Sequence, residues 1–270
     1  MNPRTPVVVG VGQVLNRSKD LDDAIEPIQM MLKALYRAEE DSGARLLGQV
    51  GSFRVIRGVW DYGNPAGFIA EKIGSSNSET MGTLFGGNQV QAVLNPSCFD
   101  NLSGHHDLIV LTGAENGSSS NRARKQGIQM HLTSISGSPD EIVGSQKPEH
   151  HEFEVAKGIK QAIQVYPMYE NAIRYARGET MDEHLVRVSE LWSRFNEAGL
   201  ENPNAWIQTR HSAEEIRTPS SSNRAVSYPY TKMMNANMVV DMGAALILCS
   251  IEKAKQLGIE EGKWVYPYAG

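Results

Sequence analysis

The chain has 270 residues, of which 40% are hydrophobic and 21% are charged, as in a folded globular protein with one large domain or two small ones. With 26 Lys and Arg residues against 31 Asp and Glu residues the net charge is -5, so the chain has no basic field to attract nucleic acid. No apolar stretch approaches the roughly 20 residues that cross a bilayer, and the N-terminus lacks a signal-peptide pattern. We therefore expect a cytoplasmic protein without a membrane span or nucleic-acid partner.

The N-terminal part of the chain alternates between strand-like and helical patterns. The β-branched run Pro6–Gly12 predicts a buried strand of a parallel sheet, and Asp20–Glu40 carries apolar residues at helical spacing. The alternation continues with predicted strands at 53–56, 80–85 and 107–112 and predicted helices at 65–73 and 89–102. This succession of βα units favours a layered α/β fold.

A long insertion separates the fourth predicted strand from the next one, Ala244–Cys249, about 130 residues later. Since compact domains do not hold loops of that length, the sequence predicts an inserted subdomain. The capping boxes Thr180–Glu183 and Ser212–Glu215 predict helix starts within it. We interpret it as a mostly helical cap over the carboxyl ends of the strands. Its core is predicted from the aromatic residues Tyr166, Tyr169, Tyr175, Trp192, Phe195 and Trp206.

Several segments resemble thiolase segments in the same order along the chain. These segments are Pro6–Gln13, Leu111–Glu115, Asp241–Ser250 and Ala254–Ile259. Four further segments resemble the acetyl-CoA acetyltransferase-like branch of that family: Trp206-Ile207, Ser212–Arg217, Asn223-Arg224 and Tyr228–Met234. The resemblance implies a thiolase-like layered α/β/α half-fold with the cap inserted between strands 4 and 5. It assigns residues 1–115 and 238–262 to the α/β domain, 116–237 to the loop (cap) domain, and 263–270 to the start of a second half that is absent.

Two departures from thiolases concern the catalytic groups. The nucleophilic cysteine of thiolases follows the third strand at a helix N-terminus, where the thiolate is favoured; the aligned position here is Gly86. Cys98 lies 12 residues further on and is interpreted as a structural cysteine, as is Cys249 in the last strand. The activating histidine and the second cysteine of thiolases come from the second half. We therefore predict no catalytic residue in this chain.

The turn Gly86, Gly87 and Asn88 is the predicted active-site turn. Small residues there let backbone N–H groups approach an acyl or thioester oxygen. A tight strand-to-helix turn without a ligand explains the same pattern.

The resemblance also suggests residues that bind coenzyme A or acyl-CoA. The basic cluster Arg122, Arg124 and Lys125 falls where thiolases admit coenzyme A, and it either pairs with the phosphates or forms a solvated basic turn. Lys232 and Asn237 precede the last strand, and Asn237 aligns with a residue that lines the pantetheine tunnel of thiolases.

Other motifs are weaker. Gly10-Val-Gly12 lacks the third glycine of a dinucleotide-binding loop, since Leu15 stands in its place. The pairs His105-His106 and His150-His151 lack the spacing of helical zinc sites, and adjacent loop histidines are expected to point apart. They are interpreted as solvated loop residues, and no metal site is predicted.

Two functional hypotheses remain open. The first is a thiolase-like protein of lipid metabolism that takes coenzyme A or acyl-CoA as ligand, without a covalently bound cofactor. It would act as an acetyl-CoA C-acetyltransferase-type enzyme only if a second half or a second chain supplies the catalytic residues. A homodimer that pairs near the third strand is expected with it. The second hypothesis is a nucleophile-less module that binds acyl-CoA, lipid or a partner without catalysis.

Overall fold

The computed structural model describes residues 2–145, 148 and 150–268, which form two compact units. The first unit comprises Met1–Gln146 and Val239–Gly270, and the second comprises Lys147–Met238. Residues 116–145, assigned to the loop domain from the sequence, lie in the first unit. The domain assignments also include residues outside the described part of the chain, namely Met1, Gln146, Lys147, Glu149, Ala269 and Gly270.

A six-stranded sheet forms the centre of the first unit. Its strands are β1 (Pro6–Leu15), β2 (Ser52–Val55), β3 (Glu79–Thr83), β4 (Leu108–Asn116), β5 (Glu141–Val143) and, after two strands of the second unit, β8 (Asp241–Ser250). They lie in the order β1-β8-β4-β2-β3-β5. The helices of this unit are α1 (Pro27–Ser42), α2 (Pro65–Ile73), α3 (Gln89–Ser103), α4 (Gly117–Lys125) and α9 (Ile251–Gln256). The predicted α/β class, with a central sheet flanked by helices, is confirmed.

One strand breaks the predicted parallel arrangement of the sheet. β2 runs parallel to β3 and β4, and β3 parallel to β5. β8 lies between β1 and β4 and is antiparallel to both, so that Leu246 stands opposite Val11 and Leu111. The prediction of a parallel sheet was wrong here because a continuous apolar run records burial on both faces and carries no information on direction.

The first helix is shorter than its apolar pattern. α1 begins at Pro27 and not at Asp20, since proline is favoured in the first turn, where its missing N–H costs no hydrogen bond. The helix ends at Gly43, whose φ of 74° is left-handed and whose N–H donates to the Glu40 carbonyl.

The two faces of the sheet bury different cores. Along β4, Leu108 and Val110 pack in the large core that also holds residues of α1 and α2. Ile109 and Leu111 point to the other face and pack with Val93 of α3, as the two-residue period of a strand requires. The sheet is thus covered by α1 and α2 on one face and by α3 on the other.

The outer side of α3 exposes two large apolar side chains. The helix buries Gln89, Val93, Ser97 and Asn101. On the opposite side it leaves Phe99 and Leu102 exposed, Phe99 to 68%. We call these two residues the open face. Large apolar side chains exposed next to one another typically mark an interaction surface.

The second unit is mostly helical. It contains α5 (Glu152–Ala156), α6 (Ala162–Arg177), α7 (Met181–Glu201), α8 (Ala213–Arg217) and a hairpin of β6 (Ala225–Ser227) and β7 (Tyr230–Thr231). Both predicted capping boxes are present, with Thr180 before α7 and Ser212 before α8. No described helix is both long and apolar enough to cross a membrane.

The core of the second unit differs from the aromatic core that the sequence suggested. Val188, Ile216 and Met234 are its buried residues, with Trp192 packed against them. Tyr175 is 82% exposed, and Tyr166, Tyr169 and Phe195 are also exposed. The predicted aromatic core is therefore not formed by these four residues. They belong to two different helices, α6 and α7, and their aromatic character alone did not indicate which side of each helix is buried.

A buried histidine joins α6, α7 and the turn between them. His184 is fully buried, with Nδ1 2.7 Å from Glu179 Oε2 and Nε2 3.2 Å from Glu170 Oε1. Arg187 donates to Glu179 at 2.6 Å. Hydrogen bonds from Arg187 and Arg177 lower the pKa of Glu179 to about 2. The Glu179 carboxylate is therefore ionised at every physiological pH.

Because α1 packs closely on β1, we expect a single methyl group added at Gly12 to destabilise the folded state strongly. A Cβ on Gly12 would lie 2.0 Å from the Ala34 carbonyl oxygen and 2.7 Å from the Ala38 nitrogen, both backbone atoms. We expect Gly12→Ala to lower the free energy of unfolding by about 2 kcal/mol or more, because α1 must move off the sheet. Chemical denaturation measures the change.

The control for that substitution is Gly48→Ala, whose added Cβ meets nothing within 4 Å. It should change the unfolding free energy by no more than about 0.5 kcal/mol. Equal effects of the two substitutions would show that α1 does not pack on β1 at this distance.

Candidate functional site

The predicted active-site turn lies at the carboxyl edge of the sheet. Because β2, β3 and β4 are parallel, their C-terminal ends share that edge, and the turn leads from β3 into α3. The Gln89 N–H donates to the Gly86 carbonyl at 3.1 Å, which closes the turn. A Cβ on Gly86 would lie 2.7 Å from Asn88 Oδ1, whereas a Cβ on Gly87 would meet nothing within 4 Å. The structure brings the three predicted residues together, and their contact with a thioester oxygen stays a prediction.

The side chain of Gln89 lies beside this turn. It is 6% exposed, and its Nε2 lies 3.6 Å from the Cβ position of Gly86. Its Oε1 is buried and has no hydrogen-bond partner among the described residues. Since a buried unpaired amide oxygen costs free energy, Oε1 is available to a donor on a ligand or water. A glutamine in the first turn of a helix has no distinctive pattern, so the sequence did not point to it.

An apolar groove of about 470 Å³ is lined by Val90, which follows the turn in the chain. Its walls are the ends of β2 and β4 and the start of β8, and Val90 in the first turn of α3 also lines it. We call it the β4 groove; its lining residues are Gln13, Ile56–Gly58, Val90, Leu111–Glu115, Val240 and Met242–Leu246. It has the size and apolar character of a small-molecule site.

Glu115 is the one acidic residue that lines the β4 groove in the described structure. Its Oε1 accepts a hydrogen bond from the Val59 N–H at 2.7 Å. Burial raises the pKa of this carboxyl, against the lowering effect of that bond. A Cβ on Gly58 would lie 2.6 Å from Oε1, so glycine makes room for the carboxylate. A carboxyl with a raised pKa beside an apolar groove can exchange a proton with a ligand.

Arg57 connects the β4 groove with a second cavity of about 530 Å³, lined also by Val59–Asp61 and Phe85. Its backbone N–H donates to Thr83 Oγ1 at 2.9 Å, and the residue is exposed. A guanidinium at this place suits a phosphate or carboxylate group. Neither Arg57 nor Glu115 was predicted as a site residue from the sequence, because only the fold brings the strand ends together.

The three predicted cations on α4 are not equivalent. Arg122 donates to Ser118 Oγ at 3.0 Å and to the Ser18 carbonyl at 2.7 Å, so it already has structural partners. Arg124 and Lys125 are exposed. Arg124 donates through Nη2 to Asn121 Oδ1 at 2.9 Å, so a phosphate could approach its other N–H groups and the exposed Lys125 ammonium.

Lys232 and Asn237 lie in the second unit. Lys232 begins a short 3-10 turn, Lys232–Met234, and Asn237 lies in the irregular segment behind it. Both are exposed. Their predicted contacts with acyl-CoA stay predictions.

Neither cysteine has the environment of a nucleophile. Cys249 is fully buried in the large core, and burial raises its pKa to about 12. Cys98 is half-buried, and burial also raises its pKa. Activated thiols need the opposite shift, so both agree with the structural role expected from the sequence.

The histidines before β4 do not point apart as expected. The rings of His105 and His106 lie 4.3 Å apart between centroids. Their Nε2 atoms lie 3.9 and 3.2 Å from the same oxygen, Glu79 Oε2. The expectation that the two rings point apart was wrong, because both rings are directed toward Glu79, the first residue of β3.

Comparison with solved structures gives thiolase-like proteins. A monomeric SCP2-thiolase-like protein type 1 from Mycobacterium smegmatis has a TM-score of 0.77 and 26% identity, over 98% of this chain and 50% of that one. An Ltp2-ChsH2(DUF35) aldolase has a TM-score of 0.67 and 17% identity, over 95% and 58%. An acetyl-CoA acetyltransferase from Syntrophomonas wolfei has a TM-score of 0.57 and 17% identity, over 95% and 67%.

No family model and no curated protein matches the sequence. The chain spans about half the length of the mycobacterial protein. The thiolase-like fold suggested by the sequence motifs is confirmed by these neighbours, as a half-domain of that superfamily.

The chemistry of the thiols predicts that the folded chain is not acylated. We expect its intact mass to stay unchanged on incubation with acetyl-CoA, because Gly86 offers no nucleophile and burial keeps both thiols protonated. In denaturant both thiols should react with iodoacetamide, which serves as the positive control. An acetyl adduct on Cys98 or Cys249 of the folded chain would contradict the assignment.

Proposed function

We propose that this chain is the acyl-CoA-binding half of a thiolase-like protein, and that it takes part in acyl transfer only when a second α/β half supplies the catalytic residues. The observation that carries the proposal is the turn Gly86–Asn88, which the resemblance aligns with the nucleophile position of thiolases. It lies beside the unpaired buried amide of Gln89, and the next residue, Val90, lines an apolar groove.

The parts of this site would have separate tasks. The β4 groove takes an apolar acyl chain, and the N–H groups of the turn approach the thioester oxygen. Gln89 Oε1 accepts a hydrogen bond from a donor on the ligand, such as a pantetheine amide N–H. Arg124 and Lys125 contact the phosphates of coenzyme A.

The need for a second half is supported by the open face. Phe99 and Leu102 are large apolar side chains exposed on the outer side of α3. The mycobacterial neighbour is described as monomeric and is about twice as long as the matched region. We propose that another α/β half, from a longer chain or a separate chain, covers the open face.

A homodimer would use that same face. The sequence led us to expect pairing near the third strand, but Met81–Thr83 of β3 pairs with β5 of the same chain. A second subunit therefore cannot add main-chain hydrogen bonds along this part of β3 while β5 is in place.

The open face also favours the alternative that the chain is a non-catalytic interaction module. In that case the chain would bind a partner protein but not coenzyme A. Titration of the chain with coenzyme A alone distinguishes the two functions.

Calorimetric titration with coenzyme A, acetyl-CoA and a longer acyl-CoA tests the proposal. We expect the longer acyl-CoA to bind most tightly, because its chain is buried in the β4 groove. Replacing Arg124 and Lys125 by alanine should weaken binding of all three ligands about two- to thirty-fold, since exposed charge pairs contribute roughly 0.2–1 kcal/mol each.

The control replaces two exposed cations of the same unit, Lys33 and Arg45, by alanine. It removes the same charge and should leave the dissociation constants unchanged. Equal losses for both double variants would indicate unspecific attraction, and absence of binding heat with every ligand would favour the interaction module.

A further inference from the structure

The opposite, amino edge of the sheet carries a second cluster of functional groups. β2 lies between β3 and β4, and Ser52 stands opposite both Glu79 and Ile109. Because the three strands are parallel, the first residue of β3 and the residues just before β4 emerge at the same edge. Glu79 and the pair His105-His106 meet there, although 25 residues lie between Glu79 and His105 in the chain.

The ligand atoms of the three side chains converge. Each side chain offers one donor atom, and these atoms lie within 4.8 Å of one another. Glu79 Oε2 lies 3.2 Å from His106 Nε2 and 3.9 Å from His105 Nε2. In a tetrahedral zinc site with bonds near 2.1 Å, neighbouring donor atoms are about 3.4 Å apart. The two distances to Glu79 Oε2 lie on either side of that value.

A second carboxylate lies near His105. Asp100 Oδ1 is 3.6 Å from His105 Nδ1, the other ring nitrogen, which is longer than a hydrogen bond. Asp100 is itself paired with the buried Arg54. A carboxylate on the second nitrogen of a histidine is the usual outer partner of a metal ligand.

The second ring is held by the backbone around it. Asn101 Nδ2 donates to the His106 carbonyl at 2.7 Å. A Cβ on Gly51 would lie 3.0 Å from His106 Nδ1, so this ring lies directly against the backbone of residue 51. The His106 side chain is only 13% exposed, which lowers the entropy lost when it binds an ion.

We propose that Glu79, His105 and His106 form a binding site for a divalent transition-metal ion, with zinc as the favoured metal. Two imidazole nitrogens and one carboxylate oxygen are a donor set that zinc accepts, whereas magnesium and calcium prefer oxygen ligands alone. Three protein ligands leave a fourth position for water or another ligand.

The site would act separately from the acyl-CoA site. It lies at the amino edge of the strands, while the β4 groove lies at their carboxyl edge. A bound ion would link the first residue of β3 to the loop before β4 and stabilise the folded state by mass action. This inference therefore does not depend on the proposed function.

The test uses the untagged full chain, freed of metal with a chelator and dialysed. Titration with cobalt chloride should give the visible absorption of four-coordinate cobalt, saturating at one equivalent, and zinc chloride should abolish it. His105→Ala is the main variant, because its side chain is 60% exposed and its loss leaves the fold intact. We expect it, and Glu79→Gln, to weaken zinc binding by more than about ten-fold.

The matched control is the double variant His150→Ala, His151→Ala, which removes the other adjacent histidine pair. That pair belongs to no three-ligand group among the described residues, so zinc affinity should stay unchanged. The proposal is overturned if cobalt gives no such absorption, if His105→Ala binds zinc as tightly as the parent chain, or if only the control loses the ion. Thermal unfolding of each variant without metal shows that the fold is retained.

Discussion

The first unit depends on the placement of β8 between β1 and β4. β8 pairs with both neighbours along its length, and Ile247, Leu248 and Cys249 are fully buried. About 125 residues separate the end of β4 from its start, so the centre of the sheet closes through a long chain segment. The entropic cost of such a loop grows only slowly with its length, which is why the second unit can be inserted here.

The start of β8 also organises the carboxyl edge. Asp241 is fully buried and accepts hydrogen bonds from the backbone N–H groups of Ser118 and Ser119, at 2.8 and 3.0 Å to the same oxygen. The carboxylate thereby caps the first turn of α4, where a negative charge is favoured. The residues that follow, Met242–Leu246, line the β4 groove. Groove and basic helix are both positioned by one strand end.

Much of the fold could be predicted from the sequence, because strand burial and helix capping are local properties. Pro65–Ile73 and the box at Thr180 have the predicted bounds. Strand direction is not local, and so the antiparallel β8 was missed. Gly86–Asn88 was found through the thiolase resemblance, whereas Gln89 and Glu79 gain their importance only from neighbours that the fold brings to them.

The central claim is that the chain is a half-fold whose open face is covered by another α/β layer. Light scattering on the purified chain at micromolar concentration tests it most directly. The account predicts a mass above that of one chain, which falls to one chain in Phe99→Asp because a charge at this exposed position opposes apolar association. A parent chain that stays monomeric and binds no dye for apolar surfaces would contradict the claim.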